Sequence, residues 1–112
     1  MKIQIEKTPY SGQIVAPPSK SAAHRRLICA ALASGKSVIH GISGSEDMKA
    51  TLDCITAMGA KWERDGDTVT VYGVDPKKRQ ASTFPCRESG STLRFFIPIA
   101  LLSESEATMT GS

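Results

Sequence analysis

The chain has 112 residues, 40% of them hydrophobic and 5% aromatic, with 14 Lys and Arg against 11 Asp and Glu for a net charge of +3. That apolar content suffices for one small folded domain and argues against wholesale disorder, while so mild a charge and so few aromatics speak against a nucleic-acid surface. The three cysteines, Cys29, Cys54 and Cys86, form no Cys-x-x-Cys pair, and no apolar run spans a bilayer or resembles a signal peptide, so a reducing, cytoplasmic setting without zinc, disulfides or membrane contact is expected.

Lys2–Glu6 alternates apolar and polar residues as a half-buried strand does. Thr8–Gly12 has turn composition, and Gln13–Ala16 precedes Pro17 and Pro18, which disfavour helix just upstream. Residues 1–16 are therefore expected as leading strands. From Ser21 to Ala33, Leu27, Ile28, Ala31 and Leu32 share one helical face, and Gly35 is placed to end that helix. Residues 36–41 read as a strand. A second helix is expected from Ser45, a capping residue, with Glu46 and Asp47 complementing the dipole and Met48, Leu52, Ile55 and Met58 as its buried stripe.

Residues 60–73 read as a hairpin about Asp65-Gly66. A polar loop over 74–82 leads to a short strand at Thr83–Cys86. A third helix follows, with Leu93, Phe96, Ile97, Ala100 and Leu101 on one face and a kink expected at Pro98. Residues 106–112 suggest a last strand. The alternation of elements predicts an α/β or α+β fold with a mixed sheet.

All three predicted helices open on serine-rich residues, which cap helices and, with free backbone N–H groups, bind anions. The first opening, "SKS" at 19–21, also carries positive charge where the helix dipole disfavours it. Ser21 and Arg25 lie four apart and share a face, with Lys20 beside them. Arginine grips carboxylates with two hydrogen bonds and lysine supplies a compact charge, so the group describes a seat for a small polyanion. Arg26 points elsewhere. In "ESGSTLR", Gly90 permits close approach to backbone at a helix start; Ser89, Ser91 and Thr92 offer hydroxyls, and Arg94 lies one turn in.

Other candidates are blander. "SGKS" at 34–37 has Ala30 where a phosphate loop needs glycine and joins helix to strand, the reverse of that motif's context. His24 and His40 have no metal-ligand spacing and read as surface or packing residues. Cys86, although beside Arg87, reads as a buried inert thiol. Asp47 is a general-base candidate at a position that equally suits a dipole partner.

Taken together, "PPSKSAAHRRLICAALASGKSVI" and "CRESGSTLRFFIPIAL" resemble the signatures of the 5-enolpyruvylshikimate-3-phosphate synthase family. Ser19-Lys20-Ser21 through Arg25 to Ser37 follows the first signature, and Ser89-Gly90-Ser91-Thr92 with Arg94 the second; Ser45–Asp47 and Met58–Ala60 fall in register. The sister transferase acting on UDP-N-acetylglucosamine has Lys-Asn where this chain has Lys20-Ser21. Many family members carry Gly-Asn where this chain carries Arg87-Glu88, which leaves Glu88 without an inherited role.

The resemblance implies transfer of the enolpyruvyl group of phosphoenolpyruvate to the 5-hydroxyl of shikimate 3-phosphate, without metal or organic cofactor. It implies that Lys20 contacts both substrates, that Ser21 and Arg25 hold shikimate 3-phosphate, and that the Gly90 backbone approaches phosphoenolpyruvate. It further implies two domains of βαβαββ units with the site between them. The chain is accordingly expected to be an N-terminal portion, with 17–75 as a first such unit and 76–112 as the start of the next. Its partner would be the second domain with the proton-transfer groups, and alone it would fold, leave an apolar patch uncovered and not catalyse. The competing expectation is a non-catalytic α/β module that binds a phosphorylated metabolite.

Overall fold

The computed structural model describes residues 1–111. Its elements are helix α1 (Lys20–Leu32), strand β1 (Lys36–Ile39), helix α2 (Glu46–Ala57), strands β2 (Lys61–Asp65) and β3 (Thr68–Tyr72), a 3₁₀ turn at Pro76–Lys78, strand β4 (Ser82–Arg87), helix α3 (Gly90–Ala100) and strand β5 (Ala107–Gly111). Parallel and antiparallel pairings are both present, as a mixed α/β fold requires, but they are divided between two sheets. One is antiparallel in the order β1-β3-β2, and the other is the parallel pair β4-β5.

β3 is central in the first sheet, and its Thr-Val-Thr-Val alternation sends Val69 and Val71 fully inside. The hairpin turn lies one residue later than the sequence suggests. Asp65 pairs with Thr68, so Gly66 and Asp67 form the loop, and the positive φ of 61° falls on Gly66. Gly73 lets β3 leave the sheet against the end of α1, where a Cβ would overlap the Ala33 carbonyl.

The second helix, α2, is the hub, packing against α1, α3, β2 and β4. Its stripe of Met48, Leu52, Ile55 and Met58 is buried as patterned and joins Leu27 and Ala31 of α1, Val69 and Val71 of β3, Phe84 and Cys86 of β4, and Phe96 of α3 in one core. Cys54 and Cys86 are buried with sulfurs 3.9 Å apart, and burial pushes the Cys54 thiol pKa well above its ordinary value. Arg79 is also buried. Its guanidinium lies over the Phe84 ring and donates to the carbonyls of Gln80, Ala100, Ser105 and Glu106 and to Ser82 Oγ. It thereby ties the end of α3 to the start of β5.

Two further expectations are corrected. The leading strands over 1–16 do not form: residues 1–19 carry no helix or strand and are exposed throughout, Ile5 by 83%. Alternation makes a strand possible, but its backbone groups need a neighbouring edge, and no described strand pairs with this segment. The α3 stripe is only half inside. Phe96 and Ala100 are buried, whereas Leu93, Ile97 and Leu101 are exposed, because α2 and the β4-β5 sheet cover one side of α3 and nothing described covers the other. Among the described residues no helix is long and apolar enough to cross a membrane.

Candidate functional site

One capping device repeats three times. Ser19, Ser45 and Ser89 each have extended backbone and accept a hydrogen bond from the N–H three residues on, at Ala22, Met48 and Thr92. The helix openings differ in charge. α2 begins with Glu46 and Asp47; α1 and α3 have no acid in their first turn. The positive dipole ends of α1 and α3 are thus unopposed by their own sequences, and α1 adds Lys20.

Contacts between the helices bring these openings together. The Lys20 ammonium lies 2.9 Å from Asp47 Oδ2, joining the start of α1 to that of α2. Arg25 is exposed, and its guanidinium sits over the Phe95 ring, 5.7 Å from the centroid, so α3 supports a side chain of α1. Ser21, Glu88, Gly90, Ser91 and Arg94 are exposed. The Arg94 guanidinium turns back along its helix, and a Cβ built on Gly90 would lie 3.7 Å from it, an ordinary contact. The space over Gly90 is therefore open to a ligand and flanked by a cation.

Beneath this surface runs a chain of buried polar groups that sequence reasoning missed. His24 Nδ1 lies 2.6 Å from Thr51 Oγ1, which lies 3.0 Å from Thr92 Oγ1, which lies 2.6 Å from Ser89 Oγ. Burial lowers the His24 pKa; Asp47 opposes that shift and Lys20 reinforces it. The missed signal was Thr51 itself, a polar residue three beyond Met48 and therefore on the inward face of α2.

A second feature was invisible in sequence. Arg87 has φ +52°, a left-handed conformation that costs any residue with a Cβ. Its guanidinium donates to Asp53 Oδ2 at 2.7 and 3.1 Å and to Glu46 Oε2 at 2.8 Å. Lys49 and Arg87 together hold the Glu46 carboxyl below its usual range, and Asp53 raises Arg87 further. Glu46 and Asp47 are thus both engaged by cations, Glu46 by Lys49 and Arg87 and Asp47 by Lys20.

Two of the larger surface cavities lie elsewhere, one of about 570 Å³ between α1 and β1 and one of about 600 Å³ beside Lys77–Gln80. The polar chemistry is concentrated instead on the open face at the three helix starts. An open face with fixed cations and dipoles can hold anions when a second surface closes over it.

Comparison with known proteins bears on this face. The family model described as EPSP synthase (3-phosphoshikimate 1-carboxyvinyltransferase) matches residues 5–112. The 3-phosphoshikimate 1-carboxyvinyltransferase of Clostridium beijerinckii is 41% identical over 97% of this chain, and that of Clostridium novyi 42% identical over the same share. A solved EPSP synthase structure from Acinetobacter baumannii superposes with a TM-score of 0.80 at 28% identity, over 90% of this chain and 23% of that one. The chain spans 27% of the length of those two clostridial relatives.

Proposed function

The chain belongs to the EPSP synthase family, and on that premise we propose that it supplies one side of a site that transfers the enolpyruvyl group of phosphoenolpyruvate to the 5-hydroxyl of shikimate 3-phosphate. A carbon–oxygen bond forms at the substrate hydroxyl and phosphate leaves. Both reactants are anions that repel each other, so the site must hold them together with fixed positive charge.

The observation that carries this reading is the convergence of two helix starts lacking acids of their own with Lys20 and Arg25. Lys20 is assigned to both substrates. Ser21 and Arg25 are assigned to shikimate 3-phosphate, chiefly its carboxylate, and the Gly90 backbone to phosphoenolpyruvate, with Ser91 and Arg94 beside it. Asp47 holds Lys20 in place until substrate arrives. Residues 17–75 are assigned to one βαβαββ-type unit and 76–112 to the start of the next, with a second domain as partner and the cytoplasm as location.

The test is an enzyme of the relatives' full length in which this chain replaces the corresponding segment of the Clostridium beijerinckii protein. Phosphate release dependent on both substrates, at a rate on the order of 10 per second, is expected. The 112-residue chain alone should give none, since the charge-stabilising groups assigned to the second domain would be lacking and one such donor is worth about 10²–10³-fold. Release by the full-length protein that is indifferent to shikimate 3-phosphate would overturn the reading.

A further inference from the structure

The geometry points to Thr51 and Thr92, with His24 behind them, as positioning residues that hold the anion seat at the start of α3 in register with the cations at the start of α1. This inference rests on the substrate assignments above and deepens them. Its first support is connectivity. Three helices contribute to one unbroken series of hydrogen bonds, from His24 through Thr51 and Thr92 to Ser89, over spans of 2.6, 3.0 and 2.6 Å.

The second support is burial. Thr51 and Thr92 are fully enclosed, and His24 and Ser89 are 3% and 5% exposed. Hydroxyls taken out of water must be bonded to avoid a penalty, and a single valine would escape it at its own position only by leaving its neighbours in the series unpaired. What the hydroxyls supply and methyl groups cannot is direction. Each carries one proton, so the series has two polarities, toward His24 or toward Ser89. In either one Ser89 Oγ still accepts the Thr92 N–H at 3.2 Å, so the α3 cap stays joined to α1.

The third support is the pairing of inward with outward residues. His24 is buried and Arg25, next in sequence, is exposed; Ser89 is buried and Gly90 exposed; Thr92 is buried and Ser91 exposed. Thr51 lies one helical turn after Asp47, the partner of Lys20. Each buried member is therefore the near neighbour of a residue on the open face, and a shift in one is passed directly to the other.

The test compares Thr51→Val, Thr51→Ser and Ile55→Val in the full-length replacement enzyme. Ile55 is equally buried on α2 but lies outside the polar series. Thr51→Val should lower kcat/KM for phosphoenolpyruvate about tenfold or more, and Thr51→Ser should recover most of that loss, whereas Ile55→Val stays within about twofold at a comparable drop in Tm. Amide exchange at Thr92 should quicken about tenfold in Thr51→Val and return toward the original rate in Thr51→Ser. Kinetics and exchange both no worse in Thr51→Val than in Ile55→Val would overturn the inference. If the unsubstituted enzyme does not turn over, the functional assignment fails, and the exchange result alone supports or overturns the positioning role.

Discussion

The ammonium of Lys20 rests 2.9 Å from the Asp47 carboxylate, with the two side chains 60% and 34% exposed. An ion pair this open contributes at most about 1 kcal/mol to stability. Asp47→Asn should therefore leave thermal unfolding almost unchanged. Lys20→Ala should also melt normally, yet lower kcat/KM for both substrates in the full-length enzyme by about 10²-fold or more. Melting curves beside steady-state kinetics separate the two roles; a Lys20→Ala enzyme of undiminished activity would remove this helix start from the site.

Gly90→Ala should raise the Michaelis constant for phosphoenolpyruvate selectively. The new Cβ meets only the Arg94 guanidinium at 3.7 Å, so the fold tolerates it and any obstruction falls on the ligand. Equal losses for both substrates, or a marked fall in Tm, would contradict this.

Phe95→Ala should act through Arg25, whose guanidinium it supports. An exposed cation–aromatic contact is worth about 0.5–1 kcal/mol, so the Michaelis constant for shikimate 3-phosphate should rise a few-fold. Arg25→Ala removes the charge itself and should weaken binding by roughly 2–5 kcal/mol. Kinetics with shikimate 3-phosphate varied would show whether the two effects stand in that order.

Much of this was written in the residue order. Ser45 before Glu46 and Asp47 announces α2, the Thr-Val-Thr-Val run announces β3, and the Ser-Lys-Ser and Ser-Gly-Ser triplets mark the two helix starts where ligand chemistry is now assigned. What stayed hidden depends on residues far apart in sequence. Thr51 meets Thr92 across 41 positions, and Arg87 meets Glu46 across the same separation. Periodicity reports which face of an element is apolar, but not which neighbour covers it. For that reason Leu93, Ile97 and Leu101 match the pattern of buried residues and yet lie exposed.

Acid should weaken the fold through His24. Its pKa in the folded chain lies below the ordinary 6.5, chiefly because the ring is buried. As pH falls through 6.5 the unfolded chain takes up this proton first, so stability declines from there until the lowered folded value is passed, and then levels. His24→Gln should flatten that part of the curve. Thermal melts between pH 8 and 5 on both proteins, by their difference, isolate this group from the carboxylates; parallel curves would exclude it.

Replacing Arg87 should separate backbone strain from ion pairing. Arg87→Gly loses the bonds to Asp53 and Glu46 but relieves the positive φ, whereas Arg87→Ala loses the bonds and keeps the strain. Urea unfolding should therefore rank Arg87→Gly above Arg87→Ala. The reverse order would mean that φ of +52° costs this residue nothing.

The carbonyls gathered by the buried Arg79 guanidinium lie as far as 27 residues along the chain. An order of assembly is the expected consequence. The β2-β3 hairpin closes over two residues and can form within about 1–10 microseconds. The parallel β4-β5 pair must wait for α3 to complete its crossover, a slower closure of a longer loop. Until then the Arg79 cation has no partners at the end of α3, and only late in folding can it enter the interior. Pulse-labelled amide exchange should accordingly protect Thr70 and Tyr72, whose N–H groups face β2, before Phe84 and Thr110 of the parallel pair.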